Sequence, residues 1–135
     1  CGETYVQASG DRNLTHVLDV RRPDLPVHIL AHDTPADGNY VNGVSAAWCH
    51  CSNATLVTGS DDTLVRIWDV SRAEAEVARL QGHTSPVSCV AISQDDDLIA
   101  SGGDEGRVVL YSRRALVGSS ACQIGKENDI VLIRH

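Results

Sequence analysis

The sequence predicts an all-β chain of repeated antiparallel strand units, and three observations lead there. Three segments align without gaps: Gln7-Ala8-Ser9-Gly10-Asp11 to Leu18-Asp19-Val20, Val57-Thr58-Gly59-Ser60-Asp61 to Trp68-Asp69-Val70, and Ala100-Ser101-Gly102-Gly103-Asp104 to Tyr111-Ser112-Arg113. Each reads as a short apolar strand, a Gly/Ser/Asp turn, and a second strand closing on a bulky residue. Short runs rich in Val and Ile, such as Leu64 to Trp68, Val87 to Cys89 and Val108 to Tyr111, alternate in the two-residue period of strands. No long stretch carries a helical period; Glu76-Val77-Ala78-Arg79-Leu80 alternates and suits an outer strand.

Leu18, Trp68 and Tyr111 end the three units 50 and 43 residues apart, and Ala31-His32 and Gly82-His83 precede the two downstream ones. The stretch from Leu56 to Ser93, LVTGSDDTLVRIWDV followed by a linker and LQGHTSPVSCVAIS, resembles the WD-repeat family, whose period is ~40–45 residues. The resemblance covers residues 5–113. It implies a partial β-propeller, an open fragment of about two and a half four-stranded antiparallel blades. Residues 1–20 form a partial blade, 26–70 the middle blade and 76–113 the third, with 114–135 an irregular tail in which Asp129 to Ile133 is one stray strand. A closed propeller takes about four to eight blades. The chain begins inside a repeat and contains no methionine, so a piece of a longer product is expected. Its unpaired strand edges should be covered by the parent's remaining blades or by self-association.

In that family a His, a Ser or Thr, an Asp and a Trp form a buried hydrogen-bonded chain that fixes each blade. The resemblance carries this structural tetrad to His32, Thr58, Asp62 and Trp68. The third blade departs from the pattern, keeping His83 and Ser101 but placing Glu105 and Tyr111 where Asp and Trp belong. The first unit, with Ala8, Arg12 and Leu18 at the matching places, has no tetrad. His32, Thr58 and Asp62 also look like a catalytic His-hydroxyl-Asp set, but such a set must be exposed beside an oxyanion site. No catalytic residue is assigned, and the chain is not expected to be an enzyme.

Propellers of this family bind partners on one end face. The resemblance places the contacting positions at Gly43, Ser45 and Asp61 in the middle blade, and at Pro86, Ser88 and Asp104 in the next. Asp11 is the equivalent in the first unit. Three carboxylates on one surface would favour a basic or amide-rich peptide. The loop from Asp33 to Asn42 is long, and Tyr40 is its candidate anchor. The expected partners are other proteins or short peptides.

Composition narrows the alternatives. The 42% hydrophobic and 21% charged content is globular. A net charge of −7 lacks the basic footprint of direct nucleic-acid binding. No apolar run approaches the ~20 residues of a membrane span, so no membrane partner is expected. The five cysteines are odd in number and lack paired spacing, as in reduced thiols of a cytoplasmic or nuclear protein. Cys49-His50-Cys51 lacks the turn spacing and second ligand pair of a zinc site. On a strand, Cys49 and Cys51 would share one face as core thiols, with Trp48 a core aromatic before them. No metal and no cofactor is expected.

A narrower resemblance is to the propeller of the ubiquitin ligases that repress photomorphogenesis and to their WD-repeat partners. It rests on Asp19-Val20-Arg21-Arg22-Pro23-Asp24-Leu25-Pro26-Val27, on the compact strand-turn-strand from Val44 to Trp68, and on Arg107-Val108-Val109-Leu110-Tyr111 with its terminal Tyr. It implies presentation of short substrate peptides to a ubiquitin-transfer module.

Overall fold

A computed structural model describes residues 5–9, 13–112, 121–124 and 130–134. The described residues form three sheets. In the first, β1 (Tyr5–Ser9), β2 (Leu14–Asp19) and β3 (His28–Ala31) lie in that order. The second is a meander of β4 (Ser45–Trp48), β5 (Thr55–Gly59), β6 (Val65–Asp69) and β7 (Glu76–Leu80). In the third, β8 (Val87–Ile92), β9 (Leu98–Gly103) and β10 (Val108–Ser112) continue into β12 (Ile130–Arg134), with β11 (Ala121–Ile124) outermost. All neighbours are antiparallel except β10 and β12, which run parallel. No helix occurs among the described residues.

Two expectations change. The tail is not irregular throughout: the Ile-Val-Leu-Ile run after Asp129, rich in strand-forming side chains, pairs with β10, and β11 folds back on it. Asp129 itself lies outside the described residues. The sheets are also out of step with the sequence units. Strand β3 belongs by sequence to the middle unit but hydrogen-bonds to β2 of the first sheet. Strand β7, opening the third unit, completes the second sheet.

Alternation gives each sheet two faces, and stacking buries them in two clusters. Val17 and Leu30 of sheet 1 meet Leu56, Trp68, Val70 and Ala75 of sheet 2, with Tyr5 and Trp48 packed at the side. On the other face of sheet 2, Val57, Val65 and Leu80 meet Val87, Val109 and Tyr111 of sheet 3. Gly59 sets the approach of the second pair, since a Cβ there would collide with Val87 and Val90. Trp48, expected in the core, is half-buried at the end of β4 and donates from Nε1 to Gln7 Oε1 at 2.9 Å, tying sheets 1 and 2.

Strand β4 ends at Trp48, so Cys49-His50-Cys51 is not on a strand. It sits in the β4–β5 connection, where His50 and Cys51 donate their backbone N–H groups to the Asp96 carboxylate at 2.8 and 2.7 Å. The shared strand face for the two thiols is thereby corrected: Cys49 is half-buried, and Cys51 is exposed. No group of metal-ligating side chains occurs among the described residues.

Candidate functional site: a bridged loop face above two sheets

The antiparallel meander brings the loop before β4, the β5–β6 turn, the β7–β8 connection and the β9–β10 turn to one end of sheets 2 and 3. Under this end lie the two histidines. His32, just after β3, contacts Thr58 Oγ1 through Nε2 at 2.7 Å and the Asn13 carbonyl through Nδ1 at 2.9 Å. A carbonyl can only accept, so Nδ1 carries the proton and Thr58 donates its hydroxyl to Nε2. Trp68 Nε1 then donates to Thr58 Oγ1 at 2.8 Å, completing a buried chain from β6 to the β1–β2 turn of the neighbouring sheet.

Asp62 is the departure. Instead of joining His32, its carboxylate accepts from Arg66 Nη2 at 2.6 Å, Ser60 Oγ, Leu64 N at 3.2 Å and Asp33 N at 3.1 Å. The third sheet does the reverse. Its Glu105 Oε1 meets His83 Nδ1 at 2.7 Å, and His83 Nε2 meets Ser101 Oγ at 2.7 Å. Two neighbours explain the difference. Where sheet 2 has Ser60, sheet 3 has Gly103, and a Cβ there would collide with Glu105 and His83. Where sheet 2 has Arg66, sheet 3 has Val109, which exerts no pull on the carboxylate. The β5–β6 turn also carries Thr63 at φ 71°, an uncommon value for a β-branched residue, where the matching turn has Gly106 at φ 78°.

These surroundings set the charges. Burial pushes His32 below its ordinary 6.5; the Asn13 carbonyl opposes this and the Arg66 charge reinforces it. Burial works against ionisation of Asp62, but hydrogen bonds from Arg66 and Ser60 outweigh it and hold the carboxyl below 3.8. Glu105 is held below 4.5 against its own burial by backbone N–H groups and His83. Burial pushes the Tyr111 hydroxyl up, partly offset by a hydrogen bond with Ser101.

A pH dependence follows from His32. The folded state keeps the imidazole neutral, whereas the unfolded chain takes up a proton below 6.5. Stability from this group is therefore complete above 6.5 and lost as the pH falls below it, until the folded form also protonates. The urea midpoint should drop between about pH 7 and about pH 5.5. In His32→Gln that slope should flatten, and a slope that persists would assign the effect elsewhere.

On the surface above, the expected contact residues divide. Asp61 is 2% exposed and spends its carboxylate on the N–H groups of Val41 at 2.7 Å and Asn42 at 3.1 Å. It shapes the loop and presents no charge outward, which corrects its assignment as a partner contact. Ser45 is half-buried and accepts from Val90 N at 3.1 Å, so it joins β4 to β8. Pro86 is half-buried, its carbonyl holding Asp104 N at 3.0 Å. Gly43, Ser88 and Asp104 are exposed. Asp11 lies outside the described residues, so of the three carboxylates only Asp104 is seen on the surface. Tyr40 is 42% exposed and its neighbour Val41 67%.

Sequence reasoning missed Asn42. Its backbone is fixed by Asp61 of its own sheet, and its side chain donates to Asp104 Oδ2 of the next sheet at 2.9 Å. No repeat rule marks it, because it lies in the non-repeated loop. A Pro35–Gly38 turn, with Gly38 at φ 71°, returns the chain to this anchor.

The WD domain, G-beta repeat description matches residues 25–69 and 74–112, more than half of the chain. The chain is 27% identical over 129 residues to the WD repeat-containing protein RUP1 of Arabidopsis thaliana, covering 94% of this chain and 31% of that protein. It is 27% identical over 84 residues to the DDB1- and CUL4-associated factor 10 of Xenopus tropicalis, covering 57% of this chain and 18% of that protein. Among solved structures it is similar to the Dos1 propeller, with TM-score 0.63 and 28% identity over 73% of this chain and 24% of the other. The chain thus spans less than a third of the curated relatives it matches. Its three sheets are an open part of a propeller, and the chain belongs to the WD domain, G-beta repeat family.

Proposed function

We propose that this part of the propeller is a protein-interaction scaffold, binding peptide or domain partners on the loop face of sheets 2 and 3. One observation carries the reading. Tyr40 and Val41 stand exposed on a segment held from below by Asp61 and from the side by the Asn42–Asp104 bond. An apolar pair fixed in this way loses little freedom on binding, and rigid aromatic anchors contribute most to such contacts. Exposed Asp104 and Ser88 beside it add an acceptor and a hydroxyl, so a partner would bring an apolar side chain flanked by a basic or amide donor.

Screening an array of short random peptides would test this. Peptides selected by the chain should bind Tyr40→Ala and Asp104→Asn about tenfold more weakly, with unfolding midpoints unchanged. Equal binding to both variants would overturn the site.

A second reading is the substrate-recognition part of a ubiquitin ligase, supported by the similarity to a DDB1- and CUL4-associated factor. The parent protein should then co-purify with DDB1, and failure to do so at micromolar concentration would leave the general scaffold.

A further inference from the structure

The two inter-sheet interfaces use equivalent positions but fill them differently. At the first, Tyr5 and Trp48 stack with centroids 6.4 Å apart, and Trp68 packs in the same cluster. Strand register identifies their counterparts at the second. Tyr5 faces Asp19 as Thr55 faces Asp69. Trp48 faces Leu56 as Ile92 faces Ile99, and Trp68 faces Leu56 as Tyr111 faces Ile99. Tyr, Trp and Trp are thus replaced by Thr, Ile and Tyr, each smaller than the residue it matches.

The missing volume is visible. Thr55, Ile92 and Tyr111, with Val57, Ile67 and Leu80, line a cavity of about 120 Å³ between sheets 2 and 3. Asp96 and Asp97 of the β8–β9 turn also line it, and the Asp96 carboxylate is engaged with the β4–β5 connection. Ser112 also lines it, and Thr55, Ser112 and Tyr111 carry hydroxyls, but the surface turned to the cavity is mostly apolar and gives a bound water few partners. An apolar cavity of about 150 Å³ stays dry and admits benzene.

We propose that this cavity is a binding site for a small molecule presenting one neutral aromatic ring. The first interface supplies the reason for a ring in particular: the same place between sheets is there occupied by the chain's own aromatic side chains. A ring entering the second interface would restore the dispersion contacts its lining lacks and would meet Tyr111 as an aromatic neighbour. The site is separate from the loop face, and its failure would leave the interaction reading untouched.

The test is a titration of benzene, with indole as the larger probe, into the isotope-labelled chain, following amide shifts. Benzene should produce saturable shifts centred on Val57, Ile92 and Tyr111, and indole should bind less well because its second ring exceeds the space. Ile92→Trp and Tyr111→Trp, which restore the side chains of the first interface, should each weaken benzene binding about tenfold or more. Absence of saturation up to the solubility of benzene, shifts centred elsewhere, or undiminished binding in the folded variants would overturn the site. If Ile92→Trp fails to fold, Tyr111→Trp decides; if both fail, the location of the wild-type shifts does.

Discussion

Replacing Arg66 with Ala should lower the unfolding free energy by about 3–5 kcal/mol, read as a fall in the urea midpoint. Arg66 is fully buried, and its guanidinium meets Asp62 at 2.6 Å and Asp33 at 3.1 Å, with Nε facing Glu76 at 3.8 Å. The Asp62 side chain is 5% exposed, whereas Asp33 is 60% exposed and Glu76 32%. The loss therefore comes almost wholly from Asp62, because exposed pairs contribute ~0–1 kcal/mol. Alanine leaves that carboxylate buried without its cation, with Ser60, Leu64 and Asp33 as its remaining donors. The gap to wild type should close as the pH falls below 3.8, where the unfolded chain protonates its aspartates and the wild type loses the advantage of its depressed carboxyl. The double variant Asp62→Leu/Arg66→Met should regain much of the loss, since a buried pair removed whole costs far less than one broken. A deficit under about 1 kcal/mol for Arg66→Ala would mean that the guanidinium is hydrated.

Thr58→Val should cost about 2–4 kcal/mol despite preserving the shape of the side chain. Among the described residues, the Thr58 hydroxyl accepts from Trp68 Nε1 at 2.8 Å and donates to His32 Nε2 at 2.7 Å, and the residue is wholly buried. Valine strands a donor on one side and an acceptor on the other. Thr58→Ser keeps the hydroxyl and should lose only the methyl packing. Equal midpoints for Val and Ser would show that the hydrogen bonds are replaced by other contacts and do not fix the sheet. The chain reaches the Asn13 carbonyl of sheet 1, so the loss should weaken the joint between sheets as well as sheet 2 itself.

What sequence could and could not reveal follows from the range of the interactions. Strand and turn positions are local, and the units read from Thr58 and Ser101 appear as β5–β6 and β9–β10. Of the positions that the WD signature singles out, Thr58 meets His32, and Ser101 and Glu105 meet His83, whereas Asp62 does not join His32. The signature did not foretell which acid would reach its histidine. That outcome turns on Ser60 against Gly103 and Arg66 against Val109, neighbours that a spacing rule does not weigh. Asp61 and Asp104 occupy equivalent positions and look identical in the repeat. One is buried under the Val41–Asn42 backbone, the other exposed, because the long loop exists only before β4. Cys49-His50-Cys51 reads as alternation, yet Asp96, 46 residues beyond His50, draws its backbone into a turn.

The offset between repeat and sheet has a consequence for how such a chain can grow or be cut. Each unit of sequence lays its first strand on the sheet before it, as courses of brick overlap, so no joint in the chain coincides with a joint in the wall. Duplication of one unit at the genetic level inserts one whole sheet: the copy's first strand closes the sheet before it, and the next unit's first strand closes the new one. A break in the loop between Asp33 and Ser45 parts the chain, but the halves remain clasped through His32 on Thr58 and His28 on Val70. A pull along the chain is likewise carried across hydrogen-bonded ladders, so mechanical strength resides in the sheets.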